Sequence, residues 1–223
     1  MDKNQLKILK DVELFAGLSE ASIEKALACL GKKTAKYKKG EIIISEGSPV
    51  KDLGIVLSGS VSVLKDDFSG TRAIIAQFHP SELFAEALAC AQVEESPVTV
   101  EVVEDCEIIF IPFLRITNTC SNACGYHSKI TMNMLKILAR KNIFLNNKIE
   151  HAAKRSIREK LLSYFGELAA NAGGGEFLIP FSKTALADYL FVDRSAMMRE
   201  LSNMKKAGII NFSGNKFELR GSR

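Results

Sequence analysis

The chain has 223 residues, 47% of them hydrophobic and 25% charged, with a formal net charge of +4, a balance typical of globular proteins rather than disordered or fibrous ones. No apolar run reaches the roughly 18–20 residues of a membrane-spanning helix, and the opening MDKNQLKILKDVE has neither the apolar stretch nor the small-residue cleavage site of a signal peptide. The expectation is a cytoplasmic protein with no membrane partner, and five scattered cysteines suit a reducing compartment better than a disulfide framework.

Residues 5–35 carry apolar positions at helical spacing, broken at Gly17-Leu18-Ser19, with Ser19 suited to cap a second short helix. From about Lys36 to Pro112 the period changes to two. EIIISEG, LGIVLSGSVSVL, TRAIIAQF, SPVTVEVV and CEIIFIPF are short β-rich runs between Gly, Pro, Asp and Ser turns, a pattern that predicts an all-β roll or barrel. Gly40, Gly47 and Gly59 punctuate it.

From about Thr117 to Ala153 the spacing predicts one long helix. Met134, Leu138, Leu145 and Ile149 form a stripe of near-heptad spacing, which suggests pairing with a second copy of the chain. Residues 156–170 form another amphipathic helix, followed by Ala172-Gly173-Gly174-Gly175, a breaker. FLIPF then reads as a strand and SKTALADYL as a short helix capped by Ser182. Asp193 caps a longer helix over 194–207, stopped by Gly208. GIINF-SGN-KFEL closes as a β-hairpin turning at Ser213-Gly214-Asn215.

Helix, tight turn, helix and hairpin make a winged helix-turn-helix. On the second helix, Met197, Leu201 and Met204 fall in one arc, and Ser195, Met198, Arg199 and Ser202 lie opposite with Arg194 at the edge, at about 100° per residue. A recognition helix needs this division: one apolar face inward, and arginines outward to bond O6 and N7 of guanine in the major groove. Lys183, in the first turn of the preceding helix, is placed to reach a phosphate. Residues 150–223 hold 12 lysines and arginines against eight acids, whereas the first 149 hold 18 of each sign. The positive excess therefore lies in the same region as these motifs, as a polyanion binder requires.

With its spaced glycines, YKKGEIIISEGSPVKDLGIVLSGSVSVL, together with SKTALADYLFVDRSAMMRELSNMKKAGII and the hairpin, resembles the Crp/Fnr family of bacterial transcription regulators over nearly the whole chain. The resemblance implies an α+β chain. Residues 1–116 would be a cyclic-nucleotide-binding-like double-stranded β-roll, 117–153 a dimerisation helix and 154–223 a winged helix-turn-helix. It implies a homodimer on a near-palindromic operator, with double-stranded DNA, RNA polymerase and a small-molecule effector as partners. Ser182, Lys183, Arg194, Ser195, Met198 and Arg199 are the DNA-contact candidates. Ser195 stands where many members have glutamate.

The same resemblance places a phosphate cassette at LFAEALACAQVEESPVTV. Glu86 is present, but Ala85 replaces a glycine, Ser96 replaces the phosphate-binding arginine, and Pro97 has no N–H to donate. Glu94 and Glu95 add negative charge nearby. These departures predict that cyclic AMP is not the effector. The family's N-terminal iron–sulfur cluster is not expected either, because Cys29 stands alone there. Cys120, Cys124 and His127, spaced i, i+4, i+7, share one helical face and offer an alternative, a cysteine-based redox or metal-sensing regulator of the same fold; ordinary packing of small apolar cysteines is the other reading. His79, His127 and His151 are too far apart in sequence for the clustered metal site of a cupin enzyme. No phosphate-binding lysine loop, nucleophile elbow or HExxH pair is present, so the expectation is a protein that is not an enzyme.

Overall fold

The computed structural model describes residues 3–66, 72–118 and 125–220. The chain forms two compact units, Met1–Ala139 and Arg140–Arg223.

The first unit opens with helix α1 (Lys3–Lys10), a 3₁₀ turn at Glu13–Phe15 and helix α2 (Glu20–Cys29). The Ser19 hydroxyl accepts a hydrogen bond from the Ser22 N–H, so the expected cap is present. The β-roll follows: β1 (Lys33–Tyr37), β2 (Ile42–Ile44), β3 (Asp52–Asp66), β4 (Arg72–Phe78), β5 (Leu83–Phe84), helix α3 (Glu86–Ala91) and β6 (Thr99–Pro112). Its sheet runs β1-β6-β3-β4, all antiparallel, with β2 on β6 and β5 on β3.

SPVTVEVV and CEIIFIPF, read separately from the sequence, join into the single strand β6. Glu104 and Asp105 between them look like a turn, but the strand runs through them, with Glu104 opposite Ser60 and register shifts across Ser58–Val61. Gly59 makes this irregularity feasible. Its φ is +72°, and a Cβ there would lie 2.3 Å from the Asp105 carbonyl oxygen. The bulge also reverses which side chains face inward. Before it, Leu53, Ile55 and Leu57 pack on the helices; after it, Val61 joins Val56, Val100, Val102 and Ile108 inside the roll.

The long helix does not begin at the predicted Thr117. Thr117 ends a separate helix, α4 (Phe113–Thr117), whose Phe113 and Ile116 are buried in the helical layer. Asn118 is extended, and α5 runs over Gly125–Ala152. The compact units divide inside α5, at Ala139/Arg140. The predicted stripe splits as well. Met134 is buried and Leu138 partly buried in the core of the first unit, with Ile130 and Ile137. The large apolar residues left exposed on α5 are Met132, Leu135, Ile143, Phe144, Leu145 and Ile149.

The second unit continues with α6 (Ile157–Asn171), β7 (Glu176–Leu178), α7 (Lys183–Leu190), α8 (Arg194–Lys206), β8 (Ile210–Ser213) and β9 (Lys216–Leu219). Ser156 and Glu159 close a capping box at the start of α6, which lowers the Glu159 pKa through the Ser156 backbone N–H. The strands form a sheet in the order β7-β9-β8. One core joins the whole unit: Leu161 and Phe165 of α6, Leu186 and Leu190 of α7, Met197 and Leu201 of α8, and Phe217 of β9.

Candidate nucleic-acid interface and sensor site

Two caps set the ends of the reader helices. The Ser182 hydroxyl accepts from the Ala185 N–H at 3.1 Å, and Asp193 Oδ1 accepts from the Ala196 N–H at 2.7 Å. Between the helices, Phe191 adopts φ +52° and ends α7, a left-handed turn residue of the kind usually supplied by glycine. The Lys160 ammonium of α6 donates to the Leu190 carbonyl at 3.1 Å, placing positive charge at the negative end of α7.

These constraints fix how α8 is presented. Met197, Leu201 and Met204 are fully buried, as expected, while Arg194, Ser195, Arg199, Ser202 and Asn203 are exposed. Met198, on the same arc, is half-buried and packs on the core. Arg199 borders an open groove of about 540 Å³ that it shares with Ser156, Arg158, Glu200 and Asn203. Across this groove, Arg158 Nε pairs with Glu200 Oε1 at 2.5 Å. Asn203 and Arg158 were not singled out in the sequence. Asn203 lies at the edge of the polar arc, and the position of Arg158 depends on how α6 packs against α8.

Lys183, expected to touch a phosphate, lies against the wing. Its ammonium donates to the Gly214 carbonyl at 3.0 Å and lies 4.2 Å from the Phe217 ring centre. Burial lowers its pKa. Lys205 donates to the Phe212 carbonyl at 2.8 Å and sits over the Phe212 ring. Phe212 and Phe217 stack at 4.8 Å, so two lysines and two rings hold the wing against the helices. The tip turns at Gly214, φ +59°.

In the first unit, Ala85 takes φ +59° at the start of α3, the conformation that glycine adopts without strain. Glu86 is buried in the first turn of α3. Ser96 is buried too: its hydroxyl donates to the Val98 carbonyl at 2.7 Å and accepts from the Val98 N–H. Its backbone bridges to Gly47 and Ser48, whereas Pro97 is exposed. Inside the roll, the fully buried Phe84 ring meets Phe78 at 6.0 Å and Phe110 at 6.4 Å. It lies on Gly54, where a Cβ would stand 2.2 Å from the ring.

The cysteine hypothesis is only partly visible. Cys120 and Cys124 lie outside the described residues, and His127 is buried in the first turn of α5. Cys29 and Cys90 are half-buried, and Cys106 is buried. Burial raises the Cys106 pKa, and the nearby Asp105 and Glu41 carboxylates raise it further. Among the described residues, no three His, Cys, Asp or Glu side chains are grouped to hold a metal ion, and no helix is long and apolar enough to cross a membrane.

Residues 34–122 match the family model for the cyclic nucleotide-binding domain, and residues 159–220 match that for the Crp-like helix-turn-helix domain. The chain belongs to the Crp/Fnr family of transcription regulators. This Crp/Fnr regulator is 20% identical over 196 residues to the transcriptional activator protein Anr of Pseudomonas aeruginosa, a match spanning 86% of this chain and 78% of Anr. Its fold is similar to the crystal structure of the Thermus thermophilus catabolite activator protein, with a TM-score of 0.51, 22% identity and 93% of each chain covered. It is also similar to the c-di-GMP responsive regulator CLP of Xanthomonas campestris, with a TM-score of 0.55 and 18% identity, covering 92% of this chain and 100% of that one. The order of its parts, a cyclic-nucleotide-binding β-sheet unit, a long helix and a helix-turn-helix, is that of the family.

Proposed function

We propose that this Crp/Fnr regulator binds a near-palindromic operator as a homodimer, with α8 as the recognition helix, under the control of an effector other than cyclic AMP. The observation that carries the reading is the division of α8. Its methionine and leucine stripe is fully buried, while Arg194, Ser195, Arg199 and Ser202 stand in solvent. Two guanidinium groups on an exposed helix face, beside a wing braced by lysines, suit reading guanines and binding phosphates. The Arg199 groove extends that surface to Asn203 and the start of α6, where a phosphate backbone could run alongside the bases.

The exposed apolar side chains of α5 support pairing with a second copy. Met132, Leu135 and Ile143 recur near one another on the helix, each half or more exposed. A solitary helix in water would gain from covering them. In such a dimer, two α8 helices would enter successive major grooves about 34 Å apart. An effector bound in the first unit would act by shifting the population of the DNA-competent arrangement.

The test is selection of random duplexes by the reduced, ligand-free protein, followed by sequencing. The expected result is a two-fold motif with guanines in each half. The Arg194→Ala, Arg199→Ala double variant should stay folded and dimeric yet lose that selectivity. Each lost bidentate contact would cost about 1–3 kcal/mol per half-site. Undiminished selectivity in the double variant would refute the assignment of α8.

A further inference from the structure

The C-terminal half of α5 carries four side chains, Phe144, Asn147, Lys148 and His151, spaced i, i+3, i+4 and i+7 and so on one helix face. Each meets α6, α7 or the turn that follows α7. The Phe144 ring lies 5.8 Å from Tyr189, and the Lys148 ammonium is 4.8 Å from the centre of the Phe191 ring. Asn147 Nδ2 donates to Glu167 Oε1 at 2.7 Å. His151 is only 3% exposed, and both of its ring nitrogens are occupied. Nε2 lies 2.8 Å from Glu167 Oε2, and Nδ1 lies 2.9 Å from the Ser163 hydroxyl. The ring also packs edge-on against Tyr164 at 5.6 Å and tilted against Tyr189.

This is a saturated arrangement. An ionised carboxylate only accepts hydrogen bonds, so Nε2 carries the proton toward Glu167, and Nδ1 of the neutral ring accepts from Ser163. A protonated ring would keep both contacts, with the Ser163 oxygen then accepting. The second carboxylate oxygen of Glu167 is taken by Asn147, so one carboxylate ties α6 to two successive turns of α5. Without these ties, the short connector 153–156 would be the natural joint between α5 and α6.

We propose that His151 is a positioning residue for DNA recognition. It pins the reader to the C-terminal half of α5, so that α5 from residue 140 onward and the helices α6 to α8 turn as one body. A rigidly held reader meets its half-site preoriented, and the second reader of a dimer keeps a high effective concentration at the other half-site. The functional side of this inference rests on the DNA-binding reading above; the mechanical side does not.

Backbone amide relaxation in the deuterated full-length protein tests the mechanical side, comparing wild type, Glu167→Ala, His151→Ala and His151→Gln. In wild type, the amides of α6 to α8 should relax at the rates of residues 140–152. In Glu167→Ala, a change at a partly exposed position, the reader amides should relax more slowly than that helix, as an independently tumbling body does. His151→Gln, which keeps an amide donor for Glu167, should retain the coupling that His151→Ala loses. On a duplex selected by the wild-type protein, Glu167→Ala should bind a two-half-site DNA roughly tenfold more weakly, about 1.4 kcal/mol, with its affinity for a single half-site unchanged. Independent tumbling of the wild-type reader, or unchanged relaxation in both Glu167→Ala and His151→Ala, would overturn the proposal. If the wild type selected no DNA, the DNA-binding reading would fall, and relaxation alone would decide the pin.

Discussion

Adding cyclic AMP should leave the stability of this protein unchanged. A ligand that binds only the folded state stabilises it by RT ln(1 + [L]/Kd), about 2.7 kcal/mol at one hundred times Kd. For a chain of this size each kcal/mol moves the melting midpoint by about 2–4 °C. A site with Kd near ~10 μM, challenged with ~1 mM nucleotide, would therefore raise the midpoint by roughly 5–10 °C. The geometry supplies little for a cyclic phosphate to bind. The Ser96 hydroxyl is spent on Val98, and the Ser96 N–H is spent on the Ser48 carbonyl. Pro97 has no N–H, and the Glu94 and Glu95 carboxylates beside it are exposed. Differential scanning fluorimetry with ~1 mM cyclic AMP should show a shift under about 1 °C. Replacing Ser96 by arginine should lower the midpoint rather than create a site, because a guanidinium there would be buried without a partner. A rise of several degrees in wild type, abolished by Glu86→Gln, would refute this account of the cassette.

Gly54→Ala should destabilise the first unit by about 1–3 kcal/mol, because its methyl would overlap the fully buried Phe84 ring. Phe84→Leu in the same chain should recover part of that loss in a double-mutant denaturation cycle, and additive effects would refute the clash. Asp193→Ala should cost about 1 kcal/mol in the second unit through loss of the α8 cap, read as a lower urea midpoint with an unchanged slope. Burial and the neighbouring carboxylates raise the Cys106 pKa, so less thiolate is present at neutral pH. Mass-spectrometric timing of alkylation should find Cys106 slower than the half-buried Cys29 and Cys90.

Much of this protein follows from local rules that operate within a few residues. Ser19, Ser182 and Asp193 are recognisable as caps because each precedes an apolar helical period, and each does accept the expected backbone hydrogen bond. Met197, Leu201 and Met204 are legible as a buried stripe because a 3.6-residue period leaves them on one face. The wing hairpin around Gly214 is legible from its turn residues, although Ser213, read as part of the turn, pairs with Lys216 as the last residue of β8. The arginine face of α8 follows from the same arithmetic, as what is left once the apolar stripe is assigned.

Other features depend on contacts between distant segments, which local periodicity does not encode. The long helix α5 carries more than one apolar stripe, and only packing assigns Met134 and Leu138 to the core while leaving Met132 and Leu135 exposed. SPVTVEVV and CEIIFIPF become one strand because Gly59, some 45 residues away in the chain, accommodates the bulge between them. The hydrogen bond from Lys183 to the Gly214 carbonyl forms only because the wing folds back on α7. His151 is a lone histidine in the sequence, and only the approach of α6 and α7 makes it a pin. Sequence alone determined the caps of the reader helices and which face of the reader is polar, because caps and periods act over one or two turns. The tertiary structure decided what each exposed or buried group touches, because that depends on which distant surfaces compete to cover it.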